Sequence, residues 1–233
     1  MFGKRRRFRH EQRSSRRYRE TRRKRLIVEL LERRRLLATV TWDGGGDGIR
    51  FLDAANWDTN TVPTAADDAV IDVAGSEPEI TVDGDASVGS LVTQEPITFT
   101  SGATFTVGTT AEVNAAATIS DATIIGAHFT GTGTLNLETS DGFLGNTSDG
   151  TLDGVTLGID ATLTNGTQIT VRNDLVLEDG ATVRLDRSNG TATVGYDVGL
   201  NFEGQASTLG GTGVVELSSI VNAVTESRTR VRP

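Results

Sequence analysis

From residue 79 onward, apolar and polar positions alternate with a period of two. Ile80 and Val82 alternate with Thr81 and Asp83. Ile97, Phe99, Phe105 and Val107 alternate with Thr98, Thr100, Thr104 and Thr106. Ile169 and Val171 do so with Thr170 and Arg172, and Val183 and Leu185 with Thr182 and Arg184. This is the pattern of strands that bury one face. Asn165-Gly166, Asp179-Gly180 and Asn189-Gly190 punctuate the strands as turns.

The strands also repeat weakly. Gly131-Thr132-Gly133-Thr134-Leu135-Asn136-Leu137 matches Gly211-Thr212-Gly213-Val214-Val215-Glu216-Leu217, and Gly102-Ala103-Thr104-Phe105 echoes Gly180-Ala181-Thr182-Val183. Imperfect repeats with small residues at turns predict stacked coils, each burying its face on its neighbours. With about 20–25 residues per coil, residues 97–218 hold about five or six coils. The expected fold is all-β, a parallel β-solenoid over 79–218. A β-sandwich is the alternative, because turns every 8–12 residues suit it equally. Few aromatics and Thr-rich outward positions favour the solenoid.

The N-terminal part reads differently. Residues 1–25 lack the apolar content to bury a core. Leu26–Ala38 predicts a short amphipathic helix, with Ile27, Leu30 and Leu31 on one face. Glu29 and Glu32-Arg33-Arg34-Arg35 interrupt the apolar run that an ordinary secretory signal requires. The chain therefore divides into a basic segment (1–38), a Gly/Asp/Trp module (40–78), the repeats (79–218) and a polar tail (219–233).

Charge sharpens that division. The net charge of −8 combines +12 over residues 1–35 with −20 over the rest, and no lysine follows Lys24. An acidic Thr/Gly body repels phosphate, so the Arg-rich segment is better read as topogenic than as a nucleic-acid grip, although nucleic-acid binding through it is the second alternative for function. The chain has no cysteine, which removes disulfide staples and thiolate metal sites. No apolar run reaches the ~20 residues that span a bilayer as a helix.

Two segments carry a resemblance. Val28-Glu29-Leu30-Leu31-Glu32-Arg33-Arg34-Arg35-Leu36-Leu37-Ala38 resembles the Leu-Glu-x-Arg-x-Leu-Leu motif, preceded by a basic stretch, of large planctomycete exported and surface proteins. Leu31, Glu32, Arg34, Leu36 and Leu37 are the positions that match. Trp42-Asp43-Gly44-Gly45-Gly46-Asp47-Gly48, Asn56-Trp57, Pro63 and Ala66-Asp67-Asp68-Ala69-Val70-Ile71-Asp72 look like a module found in such proteins ahead of adhesin- or autotransporter-like β-helical repeats. Phe51 stands where Trp is more usual. The resemblance implies that residues 1–38 are an export or processing segment and that the body is extracellular or at the cell surface.

Candidate chemistry is sparse. Asp43, Asp47, Asp67 and Asp68 are candidate calcium ligands, since hard oxygen donors suit that ion, against the plainer reading of a turn with a solubilising acidic surface. Trp42 and Trp57 would stack on sugar rings if exposed, or close the first coil if buried, and burial is favoured. With two histidines, His10 and His128, and no G-x-S-x-G elbow, nothing resembles a catalytic constellation. Arg172, Arg184 and Arg187 beside Asp174, Asp179 and Asp186 suit decorated strands better than a lyase face. The expected function is a non-enzymatic structural or adhesive surface protein. Its expected partners are cell-surface polysaccharide or protein, and its open solenoid ends would allow self-association. A carbohydrate-binding or lyase-like β-helix is the first alternative.

Overall fold

The computed structural model describes residues 38–75, 77–100, 102–138, 150–164, 166–186, 198–204 and 207–218, with the backbone pairing of 227–230. The helix expected over Leu26–Ala38 falls outside these residues up to position 37, and Ala38 opens a strand. No helix among the described residues is long and apolar enough to cross a membrane.

The chain winds as a parallel β-solenoid. Strands β1 (Ala38–Thr41) and β2 (Asp67–Ile71) precede a first coil of β3 (Ile80–Val82), β4 (Ala86–Val88) and β5 (Ser90–Thr93). The second coil is β6 (Ile97–Thr100), β7 (Thr104–Val107) and β8 (Thr110–Val113). The third is β9 (Ala116–Ser120), β10 (Ala122–Ile125) and β11 (His128–Thr130). In the next two coils the second and third strands fuse, giving β12 (Thr134–Glu138) with β13 (Gly150–Leu157), then β14 (Ala161–Leu163) with β15 (Gln168–Leu177). The last coil is β16 (Thr182–Asp186), β17 (Gly199–Phe202) and β18 (Thr208–Gly211), followed by β19 (Val214–Ser218) and β20 (Ser227–Arg230).

These strands make three faces. The first stacks β3, β6, β9, β12, β14, β16 and β19, closed by β20. The second stacks β4, β7, β10, the start of β13, the start of β15, and β17; the third stacks β1, β2, β5, β8, β11, the end of β13, the end of β15, and β18. The long strands β13 and β15 carry the second face round into the third. Their register shifts between Asp153 and Val155, where Gly154 (φ 64°) and Asn173 (φ 55°) turn the corner and the Asn173 amide donates to the Asp153 carboxylate.

Every ladder between successive coils is parallel. Ile80 lies on Ile97, Ile97 on Ala117, Leu135 on Ala161, and Val183 on Val215. A sandwich would pair strands that are neighbours in sequence, whereas β3 pairs with β6 across a whole coil, so the sandwich alternative does not apply. The stack also begins earlier than residue 79. β1 pairs with β2, and β2 with β5, so the Gly/Asp/Trp module shares the solenoid's third face.

The alternation explains the core. In the first face one inward column reads Ile80, Ile97, Ala117, Leu135, Ala161, Val183, and its neighbour reads Val82, Phe99, Ile119, Leu137, Leu163, Leu185, all buried. Alternation of Ala with larger residues lets one side chain fill the space its neighbour leaves. Each buried Ile, Leu or Phe stabilises the fold by about 1.5–3 kcal/mol relative to exposure.

The Gly131–Leu137 and Gly211–Leu217 repeats occupy equivalent corners. Both lead into the first face, at β12 and β19, with φ of 111° at Gly131 and 93° at Gly211. The shorter echo does not mark equivalent positions. Gly102 leads into β7 on the second face and Gly180 into β16 on the first, so what recurs is a corner chemistry, with Ala103 and Ala181 buried just inside. Beyond the repeats, the tail's strand β20 pairs antiparallel with β19, Val214 opposite Arg230 and Leu217 opposite Ser227. That pairing occupies an edge a parallel stack would otherwise leave open.

Candidate functional site

The Gly-rich loop after β1 is organised by one side chain. Asn56 is fully buried at the end of a short 3-10 turn, Ala54–Asn56, whose Ala55 N–H is capped by the Asp53 carboxylate. Asn56 Oδ1 accepts the backbone N–H of Gly46 (3.0 Å) and of Gly48 (2.8 Å). Its Nδ2 donates to Asp47 Oδ1 and to the Arg50 carbonyl, both at 2.9 Å. The Asn56 carbonyl in turn accepts the N–H groups of Asp43 and Gly44.

The loop carboxylates are committed to this frame. Asp43 Oδ1 accepts the Gly45 N–H (2.9 Å), and Asp53 Oδ2 accepts the Asp47 N–H (3.2 Å). Asp47 Oδ1 accepts the N–H groups of Ile49 and Arg50 as well as the Asn56 amide. Those donors, the Arg50 N–H first, lower the Asp47 pKa from 3.8 to about 2. Arg50 Nε lies 3.9 Å from Asp47 and 3.6 Å from Asp83, and Ile49–Phe51 exchanges backbone hydrogen bonds with Thr81 of β3. The loop thereby pairs with the first strand of the first face.

Trp42 and Trp57 face each other edge to face at 5.1 Å. Phe51 packs on Trp57 at 4.9 Å and on Phe105 at 5.5 Å, and Phe105 lies 4.9 Å from Phe99. This file of rings is buried and runs from the module into the second coil. Trp57 Nε1 donates to the Phe51 carbonyl at 2.8 Å. With exposures of 3% and 0%, the two tryptophans offer no ring face to a sugar; their volume fills the end of the core, where a small coil leaves it short.

The structure does not gather Asp43, Asp47, Asp67 and Asp68 around one point. Asp67 Oδ2 takes the N–H and hydroxyl of Thr64, and Asp68 Oδ1 takes the Ser90 hydroxyl at 2.6 Å. Among the described residues no three acidic or histidine side chains are arranged to hold a metal. Locally, backbone or hydroxyl donors already hold one oxygen of each of these carboxylates in place. Leu31, Glu32, Arg34, Leu36 and Leu37 lie outside the described residues.

The outward side of the first face is a polar ladder. Register places Thr81, Thr98, Thr118, Asn136, Thr162, Arg184 and Glu216 in one column, one residue per coil. Near its C-terminal end a shallow hollow of about 330 Å³ is lined by Thr134, Asp160, Thr162, Thr182, Arg184 and Glu216, among others. Arg184 contacts Glu216 at 3.2 Å and Arg172 contacts Glu203 at 3.1 Å, so the basic residues are paired along or between coils. Arg187 lies outside the described residues. Asp174 accepts the Thr208 N–H and hydroxyl.

Two further groups stand out. His128 Nε2 on β11 lies 3.0 Å from Glu178 Oε1, half-exposed, at the third face. Glu95, between β5 and β6, is buried, a placement that its position after the outward Gln94 makes readable only once the corner geometry is known. Comparison with protein-family models, with curated proteins and with solved structures finds no match.

Proposed function

We propose that the chain is a non-enzymatic, exported structural or adhesive protein of the cell surface, presenting the first face to polysaccharide or protein. The observation that supports it best is the outward column from Thr81 to Glu216, which sets a hydroxyl, amide or charged group on each successive coil. Coils stacked about 4.8 Å apart repeat these groups with a regular step. Such a face engages a long partner through many weak polar contacts, a mode in which avidity replaces a deep pocket. The acidic body, net −20 beyond residue 35, keeps that surface soluble.

Export rests on the resemblance of residues 28–38 and 42–72 to the planctomycete surface proteins. N-terminal sequencing of the protein recovered from envelope or medium tests it. A start near Ala38 or Thr39 is expected, whereas an intact Met1 confined to the cytoplasmic fraction would sink the proposal.

The hollow beside Arg184 favours a second reading, a carbohydrate-binding or lyase-like face. Arg184, Asp160 and Glu216 there present both charge signs along one edge. Release of oligosaccharides from an acidic polysaccharide would establish that reading and overturn the non-enzymatic one.

A further inference from the structure

One contact on the third face skips a coil. His128 lies on β11 in the third coil, opposite Thr156 of β13, and Thr156 lies opposite Val176 of β15. Glu178 follows β15 in the fifth coil. Its N–H donates to the Leu157 carbonyl, as the Gly158 N–H does to that of Phe129, so the ladder continues past the strand ends. Thr130, Gly158 and Glu178 therefore share one outward column, one residue per coil. Yet Glu178 Oε1 lies 3.0 Å from His128 Nε2, two coils away.

Two rungs of a ladder span about 10 Å, and Gly158 makes that reach possible. A Cβ on Gly158 would lie 2.7 Å from Glu178 Oε2 and 3.0 Å from the Phe129 carbonyl oxygen. The missing side chain leaves a notch in the fourth coil, and the Glu178 carboxylate crosses it to meet the imidazole. The distance is that of an ion pair, but the alignment makes no hydrogen bond, and Nε2 is buried. A proton on that nitrogen sets a cation against the carboxylate, whereas the neutral ring leaves a buried polar atom with little return.

The surroundings favour the cation. The ladder neighbours of His128, Thr110 on β8 and Thr156 on β13, carry no charge. Glu112 on β8 lies opposite Thr130 and accepts the Asn114 amide, and the exposed Asp179 follows Glu178. The other charged residues of β13 and β15 lie at or before the corner into this face. There Asp153 accepts the Asn173 amide, Arg172 pairs with Glu203, and Asp174 accepts the Thr208 hydroxyl. Arg50 and Arg184 pair with Asp47 and Glu216, so no described arginine competes for Glu178.

We propose that His128 and Glu178 form a pH-sensitive clasp, closed when the imidazole is protonated, that fastens the third, fourth and fifth coils into one unit. Histidine is the side chain whose charge changes between about pH 5 and about pH 8. In mild acid the ionised Glu178 attracts the charged ring across the fourth coil, which cannot leave the stack without parting them. At higher pH the ring is neutral, and each coil is held by its own ladder and core alone. This inference is independent of the proposed surface role.

A double-mutant cycle on the full chain tests it, with His128→Gln, Glu178→Gln and both together, by urea unfolding at about pH 5.5 and about pH 8. The acid response of Asp47 and the other carboxylates is common to all four proteins and cancels in the cycle. The two side chains are 35% and 46% exposed, so the coupling is modest. At the lower pH it should favour the folded state by a factor of about two to five, and at the higher pH it should vanish. Coupling absent at the lower pH, or equal at both, would overturn the proposal. Gly158→Ala supplies a second arm, because its Cβ displaces the carboxylate from the notch. The cycle repeated in that background should lose its coupling at the lower pH; undiminished coupling there would decide against the clasp.

Discussion

Asn56 Nδ2 donates to Asp47 Oδ1 over 2.9 Å, and through that bond a buried amide orients an exposed carboxylate that itself ties down the N–H groups of Ile49 and Arg50. The Gly-rich loop is therefore a folded element with a single organiser. Asn56→Ala would strand the Gly46 and Gly48 N–H groups and is expected to lower stability by about 2–4 kcal/mol, read from urea unfolding. Asn56→Asp, of the same shape, loses the donor and sets a second negative charge against Asp47. It should destabilise at neutral pH and recover partly in acid.

Acid should act on the same loop through Asp47. Its folded pKa is lowered from 3.8 to about 2, so between these values the unfolded chain binds more protons than the folded one. The contribution is complete above the unfolded value and is lost as pH falls through the folded one. Fluorescence of Trp42 and Trp57 followed from pH 5 downwards should show the module loosening between about pH 4 and about pH 2. Asp47→Asn should remove that part of the pH dependence and leave the rest of the acid transition.

Two glycine variants separate crowding from backbone strain. A Cβ on Gly46 would collide with the Asp53 carboxylate and lie 2.9 Å from Asn56 Oδ1, so Gly46→Ala should cost about 2 kcal/mol or more. At Gly75 the added Cβ meets open space, but φ is 80°, and Gly75→Ala should cost only about 1 kcal/mol. Equal urea midpoints for the two would contradict the loop geometry.

Phe105 joins the module to the coils, touching Phe51 at 5.5 Å and Phe99 at 4.9 Å. Phe105→Ala should lower stability by about 3–5 kcal/mol. Because the ring is shared, the near-ultraviolet circular dichroism of the tryptophans should weaken with it.

The surface pairs should matter far less. Arg184, with its side chain 54% exposed, contacts Glu216 at 3.2 Å, and Arg184→Ala should shift stability by less than about 1 kcal/mol, still less in high salt. A larger loss would mean that the outward ladder carries load.

Inward residues were legible in the sequence because alternation is a local signal. Ile80, Val82, Ile97, Phe99, Phe105, Val107, Ile169, Val171, Val183 and Leu185 all face the core. From Ile97 to Val215 the first face climbs five coils, in line with the expected five or six. Coil length was less legible, since Ile80 and Ile97 are 17 residues apart but Val183 and Val215 are 32 apart. Period-2 patterning says which side a residue faces and nothing about which strand lies beside it. β1 and β2 were missed as part of the stack because Gly- and Asp-rich text between them hides two short strands. The candidate site was read by residue type alone. Asp43 and Asp47 looked like ligands because their partners are backbone N–H groups, which carry no mark in the sequence. Glu95 drew no notice because its burial arises from a corner, where alternation lapses.

The parallel stacking has a mechanical consequence. Ladder hydrogen bonds between coils run along the solenoid axis, so tension applied at its two ends loads the coils in series and peels them one at a time. Each released coil adds a fixed length of slack. The coil from Ile80 to Ile97 frees 17 residues and the one from Val183 to Val215 frees 32, about 60 Å and about 110 Å of extended chain. A protein of this design behaves under load as a tether that lengthens in steps, with its longest steps stored toward the C-terminal end.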